Sequence, residues 1–214
     1  MGTARGPRVT RRVGTVGEQP LRLLVIGDEL AAGSGDPRAL GWVGRVVART
    51  TAPQPPTVLT LAVPGESTSE LAARWEQEVD RRLSPEADNR LVIALGRTDL
   101  TQRVSLARSR LNLANILDAA DQRRVSAFVV GPPPGGGVDG TALADLSAAF
   151  ADVAGRRRVP YVDTYTPLAA HEQWLADLAA GDGSLPGQAG YGLIAWLVLH
   201  NHWNTWLGLP EDLG

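Results

Sequence analysis

The side chains able to do chemistry gather at a few glycine-marked points. Gly27-Asp28-Glu29 places two adjacent carboxylates directly after an apolar run. Gly96-Arg97-Thr98-Asp99 places a guanidinium, a hydroxyl and a carboxylate after another. Asp182 stands between two glycines in a later loop. Two carboxylates with separated pKa values are the machinery of glycoside hydrolysis, so Asp28, Glu29, Asp99 and Asp182 form one candidate set. Asp28 and Asp99 also have a structural reading, because an aspartate in a tight turn bonds nearby backbone N–H groups. Ser34 and Ser67 are the hydroxyls close by in sequence, and the ordinary reading of both is a loop or helix-cap serine. Three histidines remain: His171, His200 and His202. The last two are two residues apart in a helical stretch, so they face apart and make a poor metal pair. The chain has no cysteine, which excludes thiolate nucleophiles, thiolate metal sites and disulfides. All 21 basic side chains are arginine, so lysine Schiff-base chemistry is excluded too. No metal site and no cofactor is expected.

These groups need elements to hold them. Residues 21–30 read LRLLVIGDEL, and the apolar run 23–26 with its β-branched members has the pattern of a buried parallel strand. A helix is expected near 42–49. Three prolines within 51–56 break it. Further strands are expected at 58–63, 91–95, 127–130 and 160–162. Ser67 or Thr68 caps a helix with Leu71, Trp75, Val79 and Leu83 at spacings of four. Helices follow over 105–120 and 141–154, then a largely helical 165–180 and a final helix within 187–207. The alternation of strand and helix predicts a three-layer α/β sandwich: about five parallel strands, helices on both faces, flavodoxin-like. Such sheets place their sites at the carboxyl ends of the strands. Residues 135–137, all glycine, lack the lysine of a phosphate loop and read as a flexible connection.

The chain of 214 residues, 43% apolar and 21% charged, suits one soluble domain with a sizeable core. That domain is expected over 21–208, between a disordered basic tail at 1–20 and a short tail at 209–214. Arg5, Arg8, Arg11 and Arg12 precede no apolar segment of the kind a secretory signal needs. A net charge of −2 gives no reason to expect nucleic acid. The longest late apolar run, 193–199, is too short to span a bilayer. The default placement is cytoplasmic, and the Ala-, Gly- and Arg-rich composition suggests a GC-rich bacterial genome. Trp174, Trp196, Trp203 and Trp206 lie in the last third of the chain. Core packing of the final helix is the leading reading of this cluster, and a homodimer face is the other.

Five blocks in order resemble the SGNH (GDSL-type) hydrolase family, over about residues 21–200. They are Gly27-Asp28-Glu29-Leu30, then Ala62-Val63-Pro64-Gly65-Glu66-Ser67-Thr68, then Gly96-Arg97-Thr98-Asp99. Gly131-Pro132-Pro133-Pro134 and Asp182-Gly183-Ser184-Leu185-Pro186 complete the set. The resemblance implies an esterase-type acylhydrolase fold. It puts Glu29 at the place of the nucleophilic serine, Leu185 at that of the histidine base, and Asp182 at that of the orienting carboxylate. It implies oxyanion donors at Gly65 and at Thr98, where the family has asparagine.

On this alignment no catalytic set is intact. Leucine cannot accept a proton, so Asp182 has no base to orient. Glu29 puts negative charge where an oxyanion would develop. The expectation is therefore a protein without ordinary serine-esterase activity, a pseudoenzyme that binds a small acylated or glycosylated ligand or a protein partner. Gly65, Thr98, Asp28 and Arg97 would line that site. The alternative is a divergent esterase or carboxylate-based hydrolase in the same cleft. An ion pair between Glu29 and Arg97 is expected, because a carboxylate in a partly buried cleft needs a partner.

Overall fold

The computed structural model describes residues 19–210. The expectations for tails at 1–18 and 211–214 lie outside them. Five strands form one parallel sheet: β1 (Leu21–Gly27), β2 (Thr57–Ala62), β3 (Asp88–Ala94), β4 (Ser126–Val130) and β5 (Tyr161–Val162). Their order is β2-β1-β3-β4-β5. β1 is paired on both sides, Ile26 standing opposite Leu61 of β2 and Ile93 of β3. Its near-continuous apolar sequence follows from that position, since both faces are covered.

The strand order decides where the helices go. From β1 the chain steps outward to β2, then reverses toward β3, β4 and β5. Right-handed crossovers in opposite directions put their helices on opposite faces. The helix α2 (Gly41–Arg49) lies on one face, joined later by α8 (Glu172–Ala179) and α9 (Gln188–Val198). The other face carries α3 (Thr68–Asp80), α5 (Leu106–Gln122) and α6 (Gly140–Arg156). Alternate side chains of β1 serve the two cores: Leu23 and Val25 pack with Trp42 and Trp174, while Leu24 and Ile26 pack with Leu71 and Trp75. The three-layer sandwich is the one the sequence predicts.

Short elements appear where the pattern gave none: α1 (Glu29–Ala32) and α4 (Arg97–Thr101) start two and three residues past the ends of β1 and β3. The stretch 165–180 divides into α7 (Tyr165–Leu168) and α8, with a turn between. The final helix is also interrupted. A π-turn (Leu199–Trp203) joins α9 to α10 (Asn204–Leu207), with His202 in left-handed backbone at φ 63°.

That break corrects the single final helix expected within 187–207. Beyond it, Trp203 and Trp206 turn inward onto Phe128, with ring centroids at 5.3 and 4.9 Å. Their indole N–H groups donate to Thr50 Oγ1 and Ser126 Oγ, each at 2.9 Å. Trp174 is buried and donates to the Pro134 carbonyl. Of these four tryptophans only Trp196 is exposed, stacked on His200. Core packing is thus what most of the cluster does. Leu209, assigned to a tail, packs against the core. Among the described residues no helix is long and apolar enough to cross a membrane.

Candidate functional site

β1 and β3 are neighbours although β2 lies between them in sequence, so the chain leaves them in opposite directions. Their carboxyl ends form the crevice in which open α/β sheets place ligands. The two strands close tightly there. A Cβ on Gly27 would stand 2.0 Å from the Ala94 carbonyl oxygen, so only glycine fits.

Asp28 follows and caps α1, its Oδ1 accepting the Leu30 N–H at 3.0 Å. The structural reading of this residue holds. Asp28 is buried, and burial pushes its pKa up to about 7, helped by the neighbouring charge of Glu29 and opposed by the Leu30 N–H and by Arg97.

Glu29 points across the crevice. Its Oε2 accepts the Gly65 backbone N–H at 2.8 Å, and its Oε1 lies 3.5 Å from Arg97 Nη2. Its side chain keeps 20% of its surface exposed, against 4% for Arg97. The Glu29–Arg97 pair expected from sequence is present. Gly65 lies in the turn after β2, and nothing stands within 4 Å of where its Cβ would be. The crevice is therefore open at Gly65 and closed at Arg97.

Arg97 begins α4 and is held from several loops. Its Nη1 donates to the Ser184 carbonyl at 2.8 Å. The glycines after β4 lie against it: a Cβ on Gly136 would come within 3.0 Å of Nη1. Gly136 N–H also donates to the Gly183 carbonyl at 3.2 Å. Gly135 and Gly136 are thus part of a cradle for a buried guanidinium and not a loose connection, and a side chain at either would meet occupied space, whereas the space beside Gly137 is open. Arg97 Nε is buried and finds no hydrogen-bond partner.

Thr98 is buried in the same turn. One turn on, Gln102 Nε2 reaches the Gly65 carbonyl at 3.4 Å and Glu70 Oε2 at 3.2 Å, which ties this segment to the Gly65 loop. Asp99 points away from the crevice. It is fully buried and accepts from Thr68 N–H and Thr68 Oγ1, both at 2.7 Å, and from Ser109 Oγ. It locks the start of α3 to α5, so the four-carboxylate set does not assemble.

Asp182 is exposed and its Oδ1 accepts from Ser184 N–H at 2.8 Å and Leu185 N–H at 3.2 Å. Those two N–H groups, with the Arg97 charge further off, hold its pKa below the usual range. Leu185 is half-buried, packed against the core, with its Cβ 2.9 Å from where a Gly35 Cβ would lie. Asp182 thus stabilises its own loop. Ser67 caps α3 in a capping box with Glu70. The Ser34 carbonyl accepts the Tyr191 hydroxyl at 2.6 Å. His200 Nδ1 pairs with the Trp196 carbonyl. Among the described residues no group of three His, Cys, Asp or Glu side chains could hold a metal ion.

Three contributors were not singled out from sequence: Ser184, Gln102 and the glycine pair. Ser184 acts through its backbone and Gln102 has an ordinary helix-end context, so neither carries a local signal. The glycine run did carry one, since a run of three without a phosphate-loop lysine needs a packing reason.

The strand order β2-β1-β3-β4-β5, with the candidate site at the β1/β3 crevice, is that of a doubly wound, flavodoxin-like α/β fold. The profile of the GDSL-like lipase/acylhydrolase family matches residues 25–193, and the chain belongs to that family. Comparison with curated proteins gives no match. Among solved structures, the lipase/acylhydrolase from Enterococcus faecalis superposes with a TM-score of 0.73 at 20% identity, covering 91% of this chain and 100% of that one. The acetylxylan esterase Axe2 from Geobacillus stearothermophilus gives 0.71 at 18% identity, over 92% and 98%. The psychrotrophic esterase EstA from Pseudoalteromonas sp. gives 0.69 at 15% identity, over 87% and 98%. These likenesses are to the fold.

Proposed function

We propose that this member of the family binds a small ligand in the β1/β3 crevice and does not hydrolyse esters through a serine. The observation that carries the reading is the Glu29 carboxylate seated on the Gly65 N–H. In an acylhydrolase a donor in that place receives the oxyanion of the tetrahedral intermediate. Here it is already used by a negative charge. The position aligned with a base holds Leu185, which has no proton-accepting atom, and Asp182 turns to its own loop. A nucleophile and base lost together cost on the order of 10⁶ in rate in serine hydrolases.

A carboxylate-based hydrolase is the second reading. It draws on Asp28, whose burial keeps a proton on it near neutral pH beside Glu29. Asp28 lies under the crevice and is engaged by α1, which leaves it poorly placed to reach a substrate.

The test is hydrolysis of a short-chain chromogenic ester by the native protein, by Glu29→Ala and by the double substitution Glu29→Ser with Leu185→His. The native protein is expected to match the buffer rate and the double variant to gain turnover. Native turnover that survives Glu29→Ala would overturn the reading and point to another nucleophile.

A further inference from the structure

We propose that Gly65 N–H and Arg97 together form a binding site for a small monocarboxylate, and that Glu29 fills it in the unliganded chain. This deepens the binding reading above and rests on it. Glu29 satisfies the site in the way a ligand carboxylate would, with one oxygen on each donor: Oε2 on Gly65 N–H at 2.8 Å and Oε1 toward Arg97 Nη2 at 3.5 Å. The Arg97 side is built for an anion. The guanidinium is almost fully buried, held by the Ser184 carbonyl and backed by Gly135 and Gly136, with a buried Nε that finds no partner. A buried cation held this way needs a counter-charge at its remaining edge.

Glu29 is the less enclosed partner. It is more exposed than Arg97, it has three side-chain torsions, and its contact to Arg97 is long for a charge-assisted bond. The space in front of Gly65 is open, so an incoming carboxylate has a route once Glu29 rotates out.

The surroundings select the ligand. Asp182, whose carboxylate is held charged, lies within reach of the Arg97 charge. A dianion such as sulfate or phosphate would meet that carboxylate with twice the repulsion of a monocarboxylate and would find only one backbone N–H and one guanidinium edge. A carboxylate with a short apolar tail suits two donors and the open space in front of Gly65.

Because Glu29 is tethered, it competes at an effective concentration of millimolar or higher. Removing it should tighten binding of a free carboxylate by about tenfold or more. The test titrates ¹³C-acetate, butyrate and sulfate into the native protein, Glu29→Ala, Glu29→Gln, and Glu29→Ala with Arg97→Met, with binding read by NMR and calorimetry. Each variant is first shown folded by its thermal transition. The expected result is acetate and butyrate binding at least tenfold tighter to Glu29→Ala than to native protein, intermediate binding to Glu29→Gln, and loss of binding in the double variant. Equal affinity for native protein and Glu29→Ala would overturn the proposal. So would binding that survives in the double variant, or sulfate binding as tightly as acetate. None of these readouts depends on ester turnover, so a failure here is distinct from a failure of the non-hydrolytic reading.

Discussion

Glu29 and Gly65, separated by 36 residues, are joined at 2.8 Å by a hydrogen bond from a backbone amide to a carboxylate. The bond crosses from the end of β1 to the turn after β2. The other oxygen of the same carboxylate faces Arg97 after β3. One side chain thus gathers the ends of the three strands that form the crevice.

The Glu29–Arg97 contact is expected to carry measurable energy. Glu29→Gln keeps an acceptor for Gly65 N–H but leaves a buried guanidinium without its counter-charge, a loss of about 1–2 kcal/mol. Arg97→Met removes the charge and leaves Glu29 to be hydrated at the open end. In a double-mutant cycle by urea unfolding, the combined variant should be less destabilised than the sum of the singles by about 1 kcal/mol. Strict additivity would mean that the contact contributes nothing.

Asp28 makes stability depend on pH. Its folded pKa is raised from 3.8 to about 7, so the folded state holds the proton more tightly than the unfolded chain. The contribution is fully present below pH 3.8 and is lost as pH rises toward 7. The ceiling on that loss is roughly 4 kcal/mol. Asp28→Asn keeps an oxygen for the Leu30 N–H and cannot ionise. Urea unfolding at pH 4.5 and pH 8 should show the variant gaining on the native protein as pH increases. A gap that stays constant between the two would refute the assignment.

Arg124 and Arg158 end α5 and α6 in left-handed backbone, each with φ 57°. Their N–H groups close the helix ends on the Asp121 and Gly155 carbonyls. Glycine is the residue suited to that conformation. Arg124→Gly and Arg158→Gly should each raise stability by about 0.5–1 kcal/mol, seen as a higher Tm. A fall in Tm in both would show that the arginine side chains contribute more than the backbone strain costs.

The sheet was readable because its signals are local. The run 23–26 is apolar without a break, and Ser67 with Glu70 spells a capping box. The Glu29–Arg97 pair was readable because strand ends that abut in the sheet bring their next residues together. What stayed hidden depends on distant loops meeting. Arg97 shows no local sign of burial, since its cradle comes from 135–136 and its acceptor from Ser184. The break at Asn201 and His202 was hidden by a sequence that keeps helical spacing across it. The pull of Trp203 and Trp206 toward Phe128 overrides that spacing.

The adjacency of β1 to β3, with β2 on the outer side, gives the crevice an assembly order. A chain emerging from its amino end can close β1 on β2 first, and with them the bond between Glu29 and Gly65. The contact with Arg97 has to wait for β3, and the contact between Arg97 and Ser184 for the segment before α9. Nascent chains halted after β2 could therefore hold only half of the Glu29 arrangement, and the guanidinium would be enclosed only once Ser184 has been made.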